Sequence, residues 1–178
     1  FYPGFTNGGH LFSEIEGMKA VFLDVGQGDA SLLQSGGQTL LLDGGSTSQK
    51  NVGTYVILPY IKQQGISCLE AVVLTHTDQD HINGVKELLE YMGKGLTTIR
   101  AGYLILPAWA ERPDAWRELA EAAKTAGVKV VTAVKGDELP CGKVSFSVLW
   151  PEKNATGKDV NEEAMVMELS FGDFQMLF

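Results

Sequence analysis

The feature that most constrains the fold of this chain is a nearly uninterrupted apolar run over residues 69–75, with a cluster of polar side chains directly after it. A run of this length and composition predicts a strand that is buried on both faces. The segment that follows reads Thr75-His76-Thr77-Asp78-Gln79-Asp80-His81. Apolar residues at helical spacing resume at Val85 and stop before Gly93, which predicts a short helix. Two imidazoles and two carboxylates therefore lie between a buried strand and a helix.

Other apolar runs predict strands over residues 18–24, 30–34, 38–43, 102–106, 128–134, 144–150, 164–171 and 174–178. Helical spacing predicts one helix over residues 52–65, which Pro59 should end or kink, and another from Pro113 to Gly127. Residues 1–17 have no period and are expected to be an irregular lead-in. Because strands arrive both as hairpins and in β-helix-β units, we expect an α/β (α+β) fold with a mixed sheet and outer helices.

The acidic balance of the chain limits its partners. The formal net charge is −8, and the basic residues are scattered singly from Lys19 to Lys158. A broad nucleic-acid footprint needs clustered Lys and Arg, so the composition argues against one, while a metal site could still bind a phosphodiester locally. Cys68 and Cys141 have no second Cys or His at zinc-site spacing, and we expect two half-buried thiols, with a disulfide as the alternative.

The polar loop is a candidate site for divalent metal. His76, Asp78 and Asp80 alternate, so they can project to one side of an extended segment, and His81 turns inward as the helix begins. This mixture of nitrogen and oxygen donors suits Zn²⁺ or Mn²⁺. The alternative interpretation is a polar loop in which Asp80 or Thr77 only caps the helix.

Three further carboxylates strengthen the metal interpretation. Asp24, Asp29 and Asp43 follow strand runs or the glycine turn after one. Acidic groups at one sheet edge repel each other unless a cation lies among them, so we expect Asp24, Asp43 and the loop to converge there. The alternative for each carboxylate is a turn-forming role.

Three strings, in order, carry a family resemblance: Phe22-Leu23-Asp24-Val25-Gly26-Gln27-Gly28-Asp29-Ala30, Leu41-Leu42-Asp43-Gly44-Gly45 and Leu74-Thr75-His76-Thr77-Asp78-Gln79-Asp80-His81-Ile82-Asn83-Gly84. From about residue 18 onward, the chain resembles the metallo-β-lactamase domain of ComEC-type DNA-uptake proteins. The resemblance implies a metallo-β-lactamase αββα sandwich, of which residues 18–178 are expected to supply the first half to two-thirds.

The resemblance also implies roles for the loop residues. The metal loop of the superfamily has the pattern His-x-His-x-Asp-His, which His76, Asp80 and His81 match, with Asp78 in the place of the second histidine. His76 and Asp78 would then face one metal ion, and Asp80 and His81 the other. Asp80 is the expected catalytic residue, because it can orient a metal-bound water.

The supporting carboxylates have their own implied places. Asp43 matches an aspartate that braces the metal loop, and Asp29 is expected to line the site more closely than Asp24.

The family has further metal ligands beyond the position of Phe178, and Asn161-Glu162-Glu163-Ala164 lacks the Ser that ends an Asn-rich stretch there. His10 lies outside the matching strings. We therefore expect two divalent ions, Mn²⁺ or Zn²⁺, in the complete domain, and weak metal binding or none in this chain alone. We also expect its exposed strand edge to self-associate, or to pair with the rest of the domain or a parent membrane channel.

By resemblance, the complete domain is a metal-dependent hydrolase in which two ions activate a bridging water. The expected substrate is a phosphodiester, single-stranded DNA in the setting of DNA uptake. Two alternatives remain open: a non-catalytic domain for the assembly or regulation of a membrane channel, and a di-iron redox member of the superfamily, since fold does not fix function. We expect an extracytoplasmic domain of a membrane protein or a secreted protein, and a cytoplasmic location stays open.

Overall fold

The computed structural model describes residues 17–109, 113–153 and 161–178. Apart from its last residue, the expected lead-in lies outside the described residues, as does His10. The described elements are β1 (Met18–Phe22), β2 (Ser31–Ser35), β3 (Gln38–Leu42), α1 (Leu58–Gln63), β4 (Cys68–Val73), α2 (Gln79–Gly93), β5 (Arg100–Pro107), α3 (Asp114–Thr125), β6 (Lys129–Ala133), β7 (Glu138–Cys141), β8 (Val144–Trp150), β9 (Val166–Phe171) and β10 (Phe174–Leu177).

The first six strands form one sheet in the order β1-β2-β3-β4-β5-β6. β1, β2 and β3 are antiparallel neighbours, whereas β3 to β6 run parallel, so the sheet is mixed as the sequence predicts. The hairpin between β2 and β3 turns at Gly36 and Gly37, whose φ angles are 55° and 78°. Two successive positive φ angles are what a tight hairpin turn requires, and glycine adopts them without strain.

The last four strands form a second, antiparallel sheet in the order β10-β9-β8-β7. The strand pattern alone predicts a single mixed sheet, whereas the resemblance to a sandwich implies the second sheet that the structure has. The apolar pattern does not predict β7, because this strand has only four residues and contains Pro140. The proline is tolerated because β7 is an edge strand of the described sheet.

Two apolar cores separate three layers. Neighbouring residues of a strand point to opposite faces, so Leu41 and Leu42 belong to different cores. Leu41 packs with the helices on the outer face of the six-stranded sheet, together with Leu88 of α2. Leu42 packs between the two sheets, together with Phe146 of β8. In the described ranges the layers are therefore helices, sheet and sheet.

The helical segment around Pro59 differs from its prediction. A π-helical turn over Gly53–Ile57 precedes α1, and the Leu58 N–H bonds to the carbonyl oxygen of Gly53. Pro59 lies in the first turn of α1, directly after the π-helical turn, and the helix continues to Gln63. The helix therefore does not end at Pro59, and the hydrogen bonding changes from π-helical to α-helical there instead. None of the helices in the described ranges is long and apolar enough to cross a membrane.

The strand register brings several strand ends to one edge of the six-stranded sheet. Phe22, Ser31, Leu42 and Val73 lie in one cross-strand row, each next to the loop that leaves or enters its strand. The loops after β1, β3 and β4 therefore meet at this edge. The loop after β4 carries the candidate ligands and leads directly into α2.

Candidate metal centre

Asp43 is the centre of a polar network at this edge. The residue is buried, with 6% of its surface exposed. Its Oδ1 accepts a hydrogen bond from the Thr75 N–H at 2.8 Å, and its Oδ2 accepts one from the Thr75 hydroxyl at 2.8 Å. Its φ of 50° lies in the left-handed region, which aspartate tolerates better than most side chains. The carboxylate thus ties the end of β3 to the start of the loop after β4.

Two imidazoles lie side by side next to this carboxylate, with ring centroids 4.0 Å apart. Nδ1 of His81 lies 2.9 Å from Oδ2 of Asp43, and Nδ1 of His76 lies 2.9 Å from the Thr75 hydroxyl oxygen. Both rings are therefore held through Nδ1, and each keeps its Nε2 for another partner.

Each Nε2 faces a carboxylate. Nε2 of His76 lies 3.7 Å from Oδ2 of Asp78, and Nε2 of His81 lies 3.6 Å from Oδ2 of Asp29. Asp80 follows in the first turn of α2. Its negative charge is one of those that favour the protonated form of both imidazoles. The structure thus places Asp29, which is expected to line the site, beside His81.

The two histidines differ in their affinity for protons. Burial lowers the pKa of His76, and the adjacent His81 adds to this effect against the attraction of the carboxylates. Burial also opposes protonation of His81, but the hydrogen bond and charge of Asp43, with the charges of Asp29 and Asp80, outweigh it and raise the pKa of His81. The site therefore favours a positive charge near His81, which is also what a bound cation would supply.

Glycines allow three backbone segments to approach each other at the site. A Cβ on Gly45 would lie 2.5 Å from the backbone of Asp80 and His81, and a Cβ on Gly28 would collide with the carbonyl oxygen of Gly45. The Asp29 N–H donates to the Asp80 carbonyl at 3.1 Å across the same approach. Gly28 and Gly45 therefore mark close backbone contacts, and these contacts bring Asp29 to the loop.

An amide side chain fixes the loop after β3 to the start of α2. Asn83 Oδ1 accepts a hydrogen bond from the Ser46 N–H at 3.0 Å, and Asn83 Nδ2 donates to the Ser46 carbonyl at 2.5 Å. The buried Ser46 hydroxyl donates in turn to the Val25 carbonyl at 2.6 Å. Sequence analysis gives these residues no role, since nothing in their local pattern indicates a partner 37 residues away.

A segment from the second sheet covers the loop. The Met165 N–H donates to the Thr75 carbonyl at 2.7 Å, and Asn161 Nδ2 donates to Oδ2 of Asp78 at 3.2 Å. Sequence analysis assigns no role to Asn161, because its contact with Asp78 spans 83 residues and depends on the packing of the two sheets.

Asp24 lies in the loop after β1, at the same edge of the six-stranded sheet. Its side chain is exposed, and its Oδ1 accepts a hydrogen bond from the Gly26 N–H at 3.2 Å, within its own turn. No hydrogen bond or ion pair described in the structure links Asp24 to the loop. Asp24 therefore shares the sheet edge with the loop after β4, while its described hydrogen bond is the turn-forming one.

The donor set fits divalent metal ions. Among the described residues, no three His, Cys, Asp or Glu side chains stand close enough together to hold an ion as they are. There are instead two pairs of an imidazole Nε2 and a carboxylate, 3.6 and 3.7 Å apart. This spacing is near the ~3.4 Å that separates two donor atoms on one tetrahedral Zn²⁺. Metal-binding histidines also tend to donate their other ring N–H to a protein acceptor, and both rings are held through that atom here. The metal-ligand roles of His76, Asp78, Asp80 and His81 stay predictions.

Comparisons with known proteins identify the family. The family model of the metallo-beta-lactamase superfamily matches residues 23–157, and the chain belongs to this superfamily. ComE operon protein 3 of Bacillus subtilis (strain 168) is 30% identical over 144 residues, which are 73% of this chain and 18% of that protein. Recombination protein 2 of Haemophilus influenzae (strain ATCC 51907 / DSM 11121 / KW20 / Rd) is 41% identical over 69 residues, which are 38% of this chain and 9% of that protein. The chain thus corresponds to less than a fifth of the length of either relative.

Solved structures agree on the fold. The metallo-beta-lactamase fold protein YhfI from Bacillus subtilis has a TM-score of 0.56 and 20% identity, over 90% of this chain and 61% of that one. CmlA, a diiron beta-hydroxylase from Streptomyces venezuelae, has a TM-score of 0.53 and 21% identity, over 90% of this chain and 29% of that one. At this level of identity the likeness concerns the fold alone, and it confirms the fold class that the sequence predicts.

Proposed function

We propose that this chain supplies one side of a two-metal centre that hydrolyses phosphodiesters, with single-stranded DNA as the substrate and DNA uptake as the setting. The observation that carries the proposal is that each imidazole is held through Nδ1 while its Nε2 faces a carboxylate. The sequence strings shared with ComEC-type proteins, and a relative named Recombination protein 2, support a nucleic-acid substrate.

The proposed ligands fall into two groups. His76 and Asp78 would hold one ion, and His81 would hold the other with Asp29 or Asp80. When bound, the two ions would act as Lewis acids and lower the pKa of a bridging water. Asp80 would accept a hydrogen bond from the attacking water and so orient it, since its carboxylate follows the loop directly in the first turn of α2.

Substrate binding would depend on the metal ions more than on basic side chains. The net charge of −8 gives the chain no general attraction for a polyanion. A phosphodiester would therefore be drawn to the metal ions themselves, and we expect binding to single-stranded DNA to be weak when metal is removed.

The test is hydrolysis of end-labelled single-stranded DNA, with added Mn²⁺ or Zn²⁺, by the intact protein that contains this sequence. We expect the D80N variant to lower kcat by roughly 100-fold or more, as the loss of a group that orients or deprotonates the nucleophile does. D24N is the matched control, because Asp24 is an exposed aspartate bonded within its own turn. Cleavage that persists without metal, or that D80N and D24N affect equally, would contradict the proposal.

We propose a membrane channel for DNA as the partner, with the domain outside the cytoplasm. The proposal rests on the resemblance to ComEC-type proteins. Protease treatment of intact cells whose outer layers have been permeabilised tests the location: digestion of the domain under these conditions supports it. Protection of the domain until the cytoplasmic membrane is broken would contradict it.

A di-iron redox centre is the second candidate. It is favoured by the carboxylate-rich donor set, in which Asp29, Asp78 and Asp80 accompany two histidines. Carboxylate and imidazole ligands suit iron as well as zinc or manganese. Iron content and visible absorption of the purified protein distinguish the candidates, since a coloured, iron-loaded protein without nuclease activity would favour redox chemistry.

A further inference from the structure

Thr75 connects Asp43 to both histidines of the loop. Its hydroxyl oxygen lies 2.8 Å from Oδ2 of Asp43 and 2.9 Å from Nδ1 of His76. The same Oδ2 lies 2.9 Å from Nδ1 of His81. Four side chains therefore form one continuous chain of hydrogen bonds, in the order His76, Thr75, Asp43 and His81.

The direction of each bond follows from the number of protons available. An ionised carboxylate only accepts hydrogen bonds, so both of its neighbours in this chain must donate to it. The Thr75 hydroxyl has a single proton and gives it to Asp43. The hydroxyl can then only accept from His76, whose Nδ1 must carry a proton. His81 donates directly to Asp43, so its Nδ1 carries a proton as well.

We infer that Thr75 is a positioning residue that extends the effect of Asp43 to His76, so that one carboxylate fixes the tautomer of both imidazoles. With Nδ1 protonated on each neutral ring, the lone pair of each ring lies on Nε2, the atom that faces Asp78 or Asp29. The consequence for metal binding rests on the proposed function. The tautomers themselves are a property of the metal-free chain and can be measured without it.

The contacts of Thr75 indicate that its hydroxyl, and not only the shape of its side chain, orients His76. Its backbone N–H already bonds to Oδ1 of Asp43, and its carbonyl already accepts from Met165. The backbone contacts would therefore survive a change from threonine to valine, which keeps the branched shape and removes only the hydroxyl. T75V should disconnect His76 and leave the bond between Asp43 and His81 in place.

The test is ¹⁵N NMR of the metal-free chain with labelled histidine, at a pH at which the rings are neutral. The chain has three histidines, and the H76Q and H81Q variants assign the two that matter. We expect Nδ1–H tautomers for His76 and His81, although free histidine side chains favour Nε2–H. T75V should shift His76 towards Nε2–H, T75S should retain the original tautomer, and His81 should stay unchanged in both variants.

Several results would overturn the inference. It fails if wild-type His76 carries its proton on Nε2, or if T75V leaves the His76 tautomer as it was. The unchanged His81 signal is an internal control for an intact fold, and T75A provides the same comparison if valine is not tolerated.

Metal affinity gives a second and separate readout. Loss of a group that orients a metal ligand typically weakens metal binding by about 10–100-fold, so we expect this loss for Zn²⁺ in T75V and near-wild-type binding in T75S. If the tautomers behave as expected and the intact protein that contains this sequence binds no metal, the hydrogen-bond relay stands and the proposed function fails.

Discussion

A buried carboxylate loses solvation, and it is tolerated only where hydrogen bonds replace that solvation. Asp43 has three such bonds, two with Thr75 and one with His81. These bonds hold Thr75 and His81 in place. Asp43 can therefore organise the site although it is not one of the candidate metal ligands.

The network predicts that the two histidines titrate on opposite sides of the ordinary imidazole value, about 6.5. Burial, with the adjacent His81, keeps the pKa of His76 below it, whereas the hydrogen bond and charge of Asp43 overcome burial and keep the pKa of His81 above it. NMR titration of the metal-free chain measures both. D43N should lower the pKa of His81, and a His81 that titrates below His76 would contradict the account.

The sign of the effect on stability follows from these directions. Because folding raises the pKa of His81, the protonated ring favours the folded state; this contribution is complete below about pH 6.5 and disappears as the pH rises through the folded-state pKa. Because folding lowers the pKa of His76, that residue destabilises the fold as the pH falls below about 6.5. The D43N variant should weaken the His81 contribution and increase the destabilisation by His76, because the charge of Asp43 raises the pKa of both rings.

At the scale of elements, the close approach of the loop after β3 to the start of α2 leaves no room for a side chain at Gly45. A Cβ on Gly45 would lie 2.5 Å from the backbone of Asp80 and His81, so a main-chain segment would have to move. We expect G45A to lower the free energy of unfolding by roughly 1–3 kcal/mol, as overpacked sites do. Urea denaturation measures the change. G17A is the control, because a Cβ at Gly17 meets no atom within 4 Å, and equal effects of the two variants would contradict the prediction.

An element can be predicted from the sequence when the residues that cause it are neighbours in the chain. Gly36 and Gly37 signal their hairpin because the turn needs two positive φ angles, and the buried strands signal themselves by apolar runs. β7 has no apolar run because Pro140 interrupts it. Proline is nevertheless tolerated there, because β7 is an edge strand of the described sheet. The π-helical turn before Pro59 has no signal in the local sequence either, because packing decides between α-helical and π-helical hydrogen bonds.

The candidate site divides in the same way. The donors from His76 to His81 are visible in the sequence because they are adjacent, and the glycine strings mark the neighbouring loops. The local pattern gives Asp24 and Asp29 the same alternatives, and only the resemblance sets Asp29 closer to the site. In the structure only Asp29 lies beside a histidine, since its N–H bonds to the Asp80 carbonyl. The contact of Asn161 with Asp78 depends on tertiary packing and has no signal in the local sequence.

At the scale of the whole molecule, exposed apolar side chains lie on an edge strand. β10 is the edge of the second sheet as described, and Phe174 and Leu177 on it are 47% and 65% exposed. Exposed edges of this kind pair with other chains, so we predict concentration-dependent self-association of the 178-residue chain.

Sedimentation velocity over a range of concentrations tests this prediction. L177K should weaken the association, because a charged side chain opposes pairing at a strand edge. L96K is the matched control, because Leu96 is 59% exposed in the connection between α2 and β5, away from the sheet edges. A chain that stays monomeric at every concentration, or that L96K and L177K affect equally, would show that β10 is not the contact.

The central claim is that the loop after β4 binds metal through Nε2 of its two histidines while Nδ1 stays hydrogen-bonded within the protein. Anomalous diffraction from crystals of the chain soaked in increasing Zn²⁺ locates the ions directly. We predict anomalous peaks at ~2.0–2.1 Å from Nε2 of His76 and of His81, the usual Zn–N distance, filled only at high concentration because four candidate ligands are few for two ions. Peaks at Cys68 or on the outer helices, with no peak at the loop after β4 at saturating Zn²⁺, would contradict the account.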